Sequence, residues 1–172
     1  MNNPVVPYFK VRKIWHIDLQ KLQSEGITTL LLDVDNTVVP WHSNEVPAKA
    51  AVWLQQAKSM GFMCYLLSNN VATRVQPLAQ KLGIEAVANA CKPLRRGIRV
   101  LQKQHNVDIS RSVLIGDQIF TDILGANAAG MKSVLLEPID LETGVSFRIR
   151  RKFETRLRPK YEKKLGRGIY KK

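Results

Sequence analysis

The stretch that most constrains this chain is an apolar run that ends in two carboxylates. Residues 28–32, Thr-Thr-Leu-Leu-Leu, directly precede Asp33 and Asp35. A short apolar run of this kind predicts a strand that is covered on both faces. Side chains alternate along a strand, so Asp33 and Asp35 are expected to point the same way. Two converging carboxylates indicate a divalent-cation site, a covalent nucleophile or both, and an Asx turn is the alternative interpretation.

Further apolar runs alternate with helical segments along the chain. The other predicted strands are residues 62–67, 84–88, 113–116 and 132–136. The predicted helices are residues 19–24, 46–60, 71–82, 94–105 and 123–129, with a break or bend near Pro77. Residues 2–12 are expected to form an irregular or extended lead-in. This rhythm predicts an α/β fold with a Rossmann-like parallel sheet and helices on both faces.

Charge is concentrated at the end of the chain. The 172 residues carry a formal net charge of +13. Residues 147–172 hold twelve Lys or Arg and two Glu, a net of +10, whereas residues 1–146 carry a net of +3. Such a basic tail attracts anionic lipid surfaces or nucleic acid. We expect neither a signal peptide nor a membrane span, and the two widely spaced cysteines fit a reduced, cytoplasmic setting.

Polar side chains follow four of the predicted strands, at the point where each strand ends. These residues are Asp33 and Asp35, Ser68 and Asn69, Lys92, and Asp117. In a parallel sheet all these ends lie at one edge, which is where ligands bind in open α/β folds. The sequence therefore predicts one polar site built from four segments.

These motifs resemble those of the haloacid dehalogenase-like phosphatases. The matching segments are Asp33-Val34-Asp35-Asn36-Thr37, Ser68, Lys92 and the Gly-Asp-Gln-Ile-Phe-Thr-Asp run of residues 116–122. Together with the Ser-Asn-Asn and Cys-Lys-Pro segments they are similar to the YqeG-type branch of subfamily IIIA, which is itself similar to the mitochondrial phosphatidylglycerophosphate phosphatases. The spacing between motifs leaves no room for a cap domain, so the site is expected to be open to a large substrate or closed by another subunit of a homo-oligomer.

The resemblance implies a role for each motif residue. Asp33 is the expected nucleophile, which forms an aspartyl phosphate, and Asp35 is the expected general acid and base. Asp33, the Asp35 backbone carbonyl and Asp117 are the expected Mg²⁺ ligands, and Asp122 is expected to contact a ligand or a metal-bound water. Ser68 and Lys92 are expected to bind the phosphoryl group.

The sequence allows two interpretations of several other residues. Asn69, Arg95 and Arg96 are predicted to bind substrate, although a turn asparagine and a solvated helix face are the alternatives. Trp41 and His42 receive no catalytic role. The cluster of Tyr8, Phe9, Ile14 and Trp15 either inserts shallowly into a membrane or packs on the sheet.

Three functions fit these features. The leading expectation is a Mg²⁺-dependent phosphomonoesterase that acts on phosphatidylglycerophosphate at the inner face of the cell membrane, as a cytoplasmic, peripheral protein. The second is a phosphatase of a soluble sugar phosphate or nucleotide. The third is an RNA- or ribosome-associated protein with a vestigial site, which the intact acidic motifs disfavour. The predicted division is a lead-in at 1–27, a phosphatase core at 28–145 and a basic tail at 146–172.

Overall fold

The structure, a computed structural model, describes residues 4–41 and 43–140. Its centre is a six-stranded sheet in which every pair of neighbours is parallel, in the order β1-β6-β5-β2-β3-β4. The strands are β1 Phe9–Val11, β2 Thr29–Leu32, β3 Met63–Leu67, β4 Glu85–Val87, β5 Ser112–Gly116 and β6 Lys132–Leu136. The predicted parallel α/β sheet is thus confirmed.

Helices cover both faces of the sheet, as predicted. They are α1 Leu19–Ser24, α2 Ala48–Ser59, α3 Ala72–Leu82, α4 Arg96–His105 and α5 Leu124–Ala129. Short 3-10 turns occupy Ile14–His16 and Ile109–Arg111, and a π-helical turn at Ile119–Ile123 leads into α5. The side chain of Asp18 caps α1 by accepting a hydrogen bond from the Lys21 amide, as expected.

The leucines of β2 show why both faces must be covered. Leu30 and Leu32 belong to a core that includes Trp53 of α2, whereas Leu31 belongs to a core that includes Leu101 of α4. All three leucines are fully buried. Alternation along a strand therefore places an apolar layer on each side of the sheet, and β2 lies between β5 and β3 at its centre.

The beginning of the chain is more ordered than the sequence indicated. Residues 9–11 form β1, an edge strand that pairs with β6, where the sequence predicted an irregular or extended lead-in. Phe9 and Ile14 are 3% and 2% exposed and belong to the core. Shallow membrane insertion by these two side chains is therefore wrong, and packing on the sheet is the interpretation that holds for them.

The break or bend predicted near Pro77 does not end helix α3. The helix runs unbroken through Pro77, whose missing N–H removes one hydrogen bond.

The basic tail, residues 146–172, lies outside the residues that the structure describes. The three-part division of the chain therefore stays a prediction. Among the residues that the structure describes, no helix combines the length and apolar character needed to cross a bilayer.

Candidate active site

A pocket of about 290 Å³ opens at the carboxyl ends of the central strands. Asp33 and Asp35 come from the end of β2, Ser68 from the end of β3, and Lys92 from the loop before α4. The residues that line the pocket are Asp33, Asp35, Trp41, Ser68, Asn69, Asn70, Lys92, Gln118 and Thr121. The predicted convergence of polar strand ends at one edge is therefore present in the structure.

Lys92 joins two buried carboxylates at the floor of this pocket. Its Nζ lies 2.5 Å from Oδ1 of Asp33 and 2.6 Å from Oδ1 of Asp122. The three side chains are 3%, 9% and 0% exposed, respectively. A single cation thus balances two carboxylates in a setting where water screens little.

Burial sets the protonation of this cluster. Desolvation raises the pKa of Asp33 to about 7, against the opposing effect of the Lys92 ammonium and with a further upward push from Asp122. For Lys92, burial lowers the pKa, but the attraction of Asp122 and Asp33 outweighs it and holds the pKa above its ordinary value. Lys92 is therefore a permanent cation beside an aspartate that is easily protonated.

Three carboxylates form a group that suits a divalent cation. One oxygen each of Asp33, Asp117 and Asp122 lies within 4.8 Å of the others, and all three residues are buried. Hard oxygen donors of this kind are the ligands that Mg²⁺ prefers, so the donor set fits the ion expected from the sequence. Asp122, which the sequence left uncertain, belongs to this group, while the Asp35 side chain lies outside it.

The lack of a side chain at Gly116 allows the Asp122 carboxylate to lie close to the backbone of residue 116. A Cβ atom on Gly116 would lie 2.3 Å from the Asp122 carboxylate, a distance that no real side chain could accept. The Asp122 carboxylate also accepts a hydrogen bond from the Gln118 amide at 3.0 Å. The glycine before Asp117 is thus required by close approach of a side chain rather than by a turn.

Asp35 is held by an arginine that the sequence did not reveal. Nη2 and Nε of Arg74 lie 2.5 Å and 3.0 Å from Oδ1 of Asp35, and Asn70 donates to Oδ2 at 3.2 Å. Arg74 also donates to the Ser43 carbonyl and to Asn44 Oδ1, which ties the first turn of α3 to the loop after β2. The only available signal was position, because the first turn of a helix that follows a strand faces the site edge.

Ser68 and Asn69 have different roles in the structure. Ser68 is buried in the pocket, and its Oγ accepts a hydrogen bond from the Asn70 amide at 3.1 Å. The Asn69 side chain accepts from the Lys92 amide at 2.6 Å and donates to the Lys92 carbonyl at 2.9 Å. Asn69 therefore fixes the loop that carries Lys92.

Asn36 shapes the loop between the acidic motif and the rest of the edge. It is fully buried with a φ of 60°, a left-handed conformation that asparagine tolerates better than most residues. Its Oδ1 accepts from the amides of Trp41 and Asp140, and its own amide donates to the Val39 carbonyl. The sequence treated Asn36 only as part of the motif, yet it organises the turn that presents Asp35.

The other residues that the sequence singled out have different positions. Arg95 and Arg96 are exposed and line a separate depression along α4, so the structure does not bring them into the pocket. Trp41 is half-buried and lines the pocket, while His42 lies outside the described residues. Substrate binding by Arg95 and Arg96 stays a prediction.

The described residues contain no separate cap over the pocket. Between β2 and β3 they form a loop and α2, and between β3 and Lys92 they form α3 and β4. Within residues 4–41 and 43–140, the pocket is therefore left open at the sheet edge, as the motif spacing predicted.

Residues 6–130 match the haloacid dehalogenase-like hydrolase family, and the match includes all the residues that line the pocket. The chain belongs to this family. It is 30% identical over 147 residues to the probable phosphatase YqeG of Bacillus subtilis (strain 168), with 86% of each chain covered. It is 24% identical over 150 residues to phosphatidylglycerophosphate phosphatase 1, chloroplastic/mitochondrial, of Arabidopsis thaliana, which covers 78% of this chain and 41% of the plant protein. The suspected YqeG-type relation and the enzyme class, a phosphoric monoester hydrolase, are confirmed.

Solved structures support the fold. An uncharacterized protein from Listeria monocytogenes serotype 4b superimposes with a TM-score of 0.56 at 21% identity, covering 69% of this chain and 84% of that one. The cobalt-bound deoxy-D-mannose-octulosonate 8-phosphate phosphatase YrbI of Haemophilus influenzae gives 0.53 at 18% identity, covering 83% and 94%. These similarities confirm the Rossmann-like architecture of the hydrolase family.

Proposed function

We propose that this hydrolase is a Mg²⁺-dependent phosphomonoesterase that converts phosphatidylglycerophosphate to phosphatidylglycerol through an aspartyl-phosphate intermediate. The observation that carries the proposal is the shared pocket of Asp33 and Asp35, with Lys92 against Asp33 and the acidic trio beside it. A nucleophile, an acid and a cation are thus within reach of one phosphoryl group.

In the first half of the reaction, a carboxylate oxygen of Asp33 attacks phosphorus and the ester P–O bond breaks. Asp35 gives its proton to the departing alcohol oxygen, so the lipid leaves as a neutral hydroxyl. Arg74 holds the Asp35 carboxylate in place at the pocket wall.

In the second half, Asp35 takes a proton from a water molecule. The resulting hydroxide attacks phosphorus, the bond between phosphorus and Asp33 breaks, and inorganic phosphate leaves. Each group ends the cycle in its starting state.

Lys92 and Ser68 stabilise charge on the phosphoryl oxygens during both steps. The Lys92 ammonium is buried and opposes the rise in the Asp33 pKa that burial causes, which favours the carboxylate form of the nucleophile. Ser68 lines the same wall and offers a hydroxyl. Bound Mg²⁺, held by Asp33 and Asp117 with the Asp35 carbonyl, would reduce the repulsion between the carboxylate and the phosphate.

The shape of the pocket favours a substrate whose bulk stays outside. A volume of about 290 Å³ suits a phosphoryl group with a short polyol and does not admit a diacylglycerol. With no cap among the described residues, the rest of a lipid is able to remain in its bilayer. The basic tail and the weaker similarity to the plant lipid phosphatase support the same substrate and a peripheral position at the inner face of the membrane.

The proposal is tested by phosphate release from phosphatidylglycerophosphate in mixed micelles with Mg²⁺, for the natural protein and for Asp33→Asn. We expect release that Asp33→Asn abolishes. Cleavage of a soluble aryl phosphate without cleavage of the lipid would keep the mechanism and overturn the substrate. Tight RNA binding together with inactivity on all phosphate esters would overturn both.

A further inference from the structure

A second depression, of about 660 Å³, lies beside the active site along α4 and α5. Its lining combines positive charge with apolar surface. The cationic residues are Arg95, Arg96, Arg99 and Lys103, all exposed, and the apolar ones include Leu94 and Val100. None of the described residues that line it is acidic.

The depression exposes a large apolar side chain, that of Leu94. Its side chain is 68% exposed, the highest value among the large exposed apolar residues that the structure describes. The core side of α4 is already provided by Ile98 and Leu101, which are buried against the sheet. Leu94 and Val100 instead line the depression together with the arginines.

We propose that this face of α4 docks the enzyme on an anionic phospholipid bilayer. Cations flanking an exposed leucine match a surface of negative headgroups over acyl chains. The lining of the depression includes Pro93, which directly follows Lys92 of the catalytic pocket, so the two sites are neighbours along the chain. The choice of a phospholipid surface rests on the proposed function.

The basic tail of the chain and single-stranded RNA are two other candidates for binding in this depression, and both are disfavoured. Residues 147–172 carry a net charge of +10, so this segment is repelled by the four cations of the depression. Single-stranded RNA is bound through aromatic side chains on which bases stack, and the described lining contains no aromatic residue.

The first test removes charge far from the catalytic pocket. Full-length Arg99→Gln/Lys103→Gln is compared with Lys49→Gln/Lys81→Gln, which removes two exposed lysines from α2 and α3. Binding is measured by sedimentation with vesicles of phosphatidylcholine and phosphatidylglycerol in equal parts. We expect the α4 variant to bind about 10- to 30-fold more weakly than the natural protein at low salt, and the control to lose about 3-fold or less.

The second test removes the exposed leucine. Leu94→Ser is compared with Val52→Ser, because the Val52 side chain is 67% exposed on α2 and thus nearly matched. We expect a loss of vesicle binding for Leu94→Ser that persists at high salt, and no loss for Val52→Ser. Far-UV circular dichroism and thermal unfolding establish that each variant is folded.

Three results would overturn the proposal. These are equal vesicle binding by the α4 variant and its control, unchanged binding by Leu94→Ser, and loss of affinity for an RNA oligonucleotide without loss for vesicles. Vesicle binding is measured without turnover, so failure of the docking surface and failure to hydrolyse phosphatidylglycerophosphate are separate results.

Discussion

Removing the Lys92 ammonium should destabilise the metal-free protein strongly. Its Nζ contacts Asp33 and Asp122 at 2.5 Å and 2.6 Å, and all three side chains are almost inaccessible to water. Lys92→Met keeps much of the side-chain volume but leaves two carboxylates without their cation. Breaking a buried pair by removing one partner costs about 3–5 kcal/mol, so the free energy of unfolding should fall by about that amount.

The loss should depend on pH. Burial has already raised the folded-state pKa of Asp33 to about 7 from its ordinary 3.8, and Lys92 is the largest influence that lowers it. Without Lys92 that pKa rises further, so near neutral pH the folded variant holds a proton that the unfolded chain has released. Stability of the variant should therefore decrease as pH rises from about 5 to 8, and more steeply than in the natural protein.

Urea unfolding in the presence of a chelator, at pH 5 and pH 8, measures both effects. Lys10→Met is the matched control, because Lys10 forms a partly exposed pair with Glu137 at 3.4 Å, which should contribute no more than about 1 kcal/mol. A loss below about 1 kcal/mol for Lys92→Met, or a loss that is the same at both pH values, would refute the account of the buried cluster.

Three other expectations concern the same edge of the sheet. Arg74→Gln should lower kcat on an aryl phosphate by about 10- to 100-fold with little change in KM. The same change should add little to the defect of Asp35→Asn, because Arg74 acts through Asp35. An equal effect of Arg74→Gln in the natural protein and in Asp35→Asn would contradict this positioning role. Gly116→Ala should lower the midpoint of urea unfolding far more than Gly26→Ala does, because its Cβ would collide with the Asp122 carboxylate. The new Cβ at Gly26 would meet open space, so only its φ of 78° costs stability, by about 1 kcal/mol. Similar midpoints for the two variants would contradict the close approach at Gly116. Asp117→Asn should weaken Mg²⁺ binding by about 100-fold or more in calorimetry, and unchanged affinity would remove Asp117 from the ligand set.

The sequence predicted the parts of the fold that depend on periodicity. The leucines at 30–32 favour a strand covered on both faces, and polar residues after several predicted strands converge at one edge when those strands are parallel, as they are here. Strand β1 was not predicted as part of the sheet, because three residues between Tyr8 and Arg12 carry too little pattern to distinguish an edge strand from an extended lead-in.

The parts of the site that escaped prediction depend on tertiary contacts. Arg74 has no motif around it, and only the fold brings its guanidinium to Asp35, 39 residues earlier in the chain. The central position of Asp122 follows from the π-helical turn before α5, which spacing alone does not reveal. Arg95 and Arg96 belong to a basic helix face whose position relative to the pocket only the fold reveals: they line the depression along α4, and substrate binding by them stays a prediction.

The measurement that tests the central claim most directly is an acid quench of a single turnover with phosphatidylglycerophosphate labelled on its terminal phosphate. The account predicts label on the peptide that contains Asp33, appearing before free phosphate. It also predicts that Asp35→Asn releases this label more slowly, because Asp35 activates the water. Release of phosphate with no labelled protein at any time, or labelling that persists in Asp33→Asn, would contradict the account.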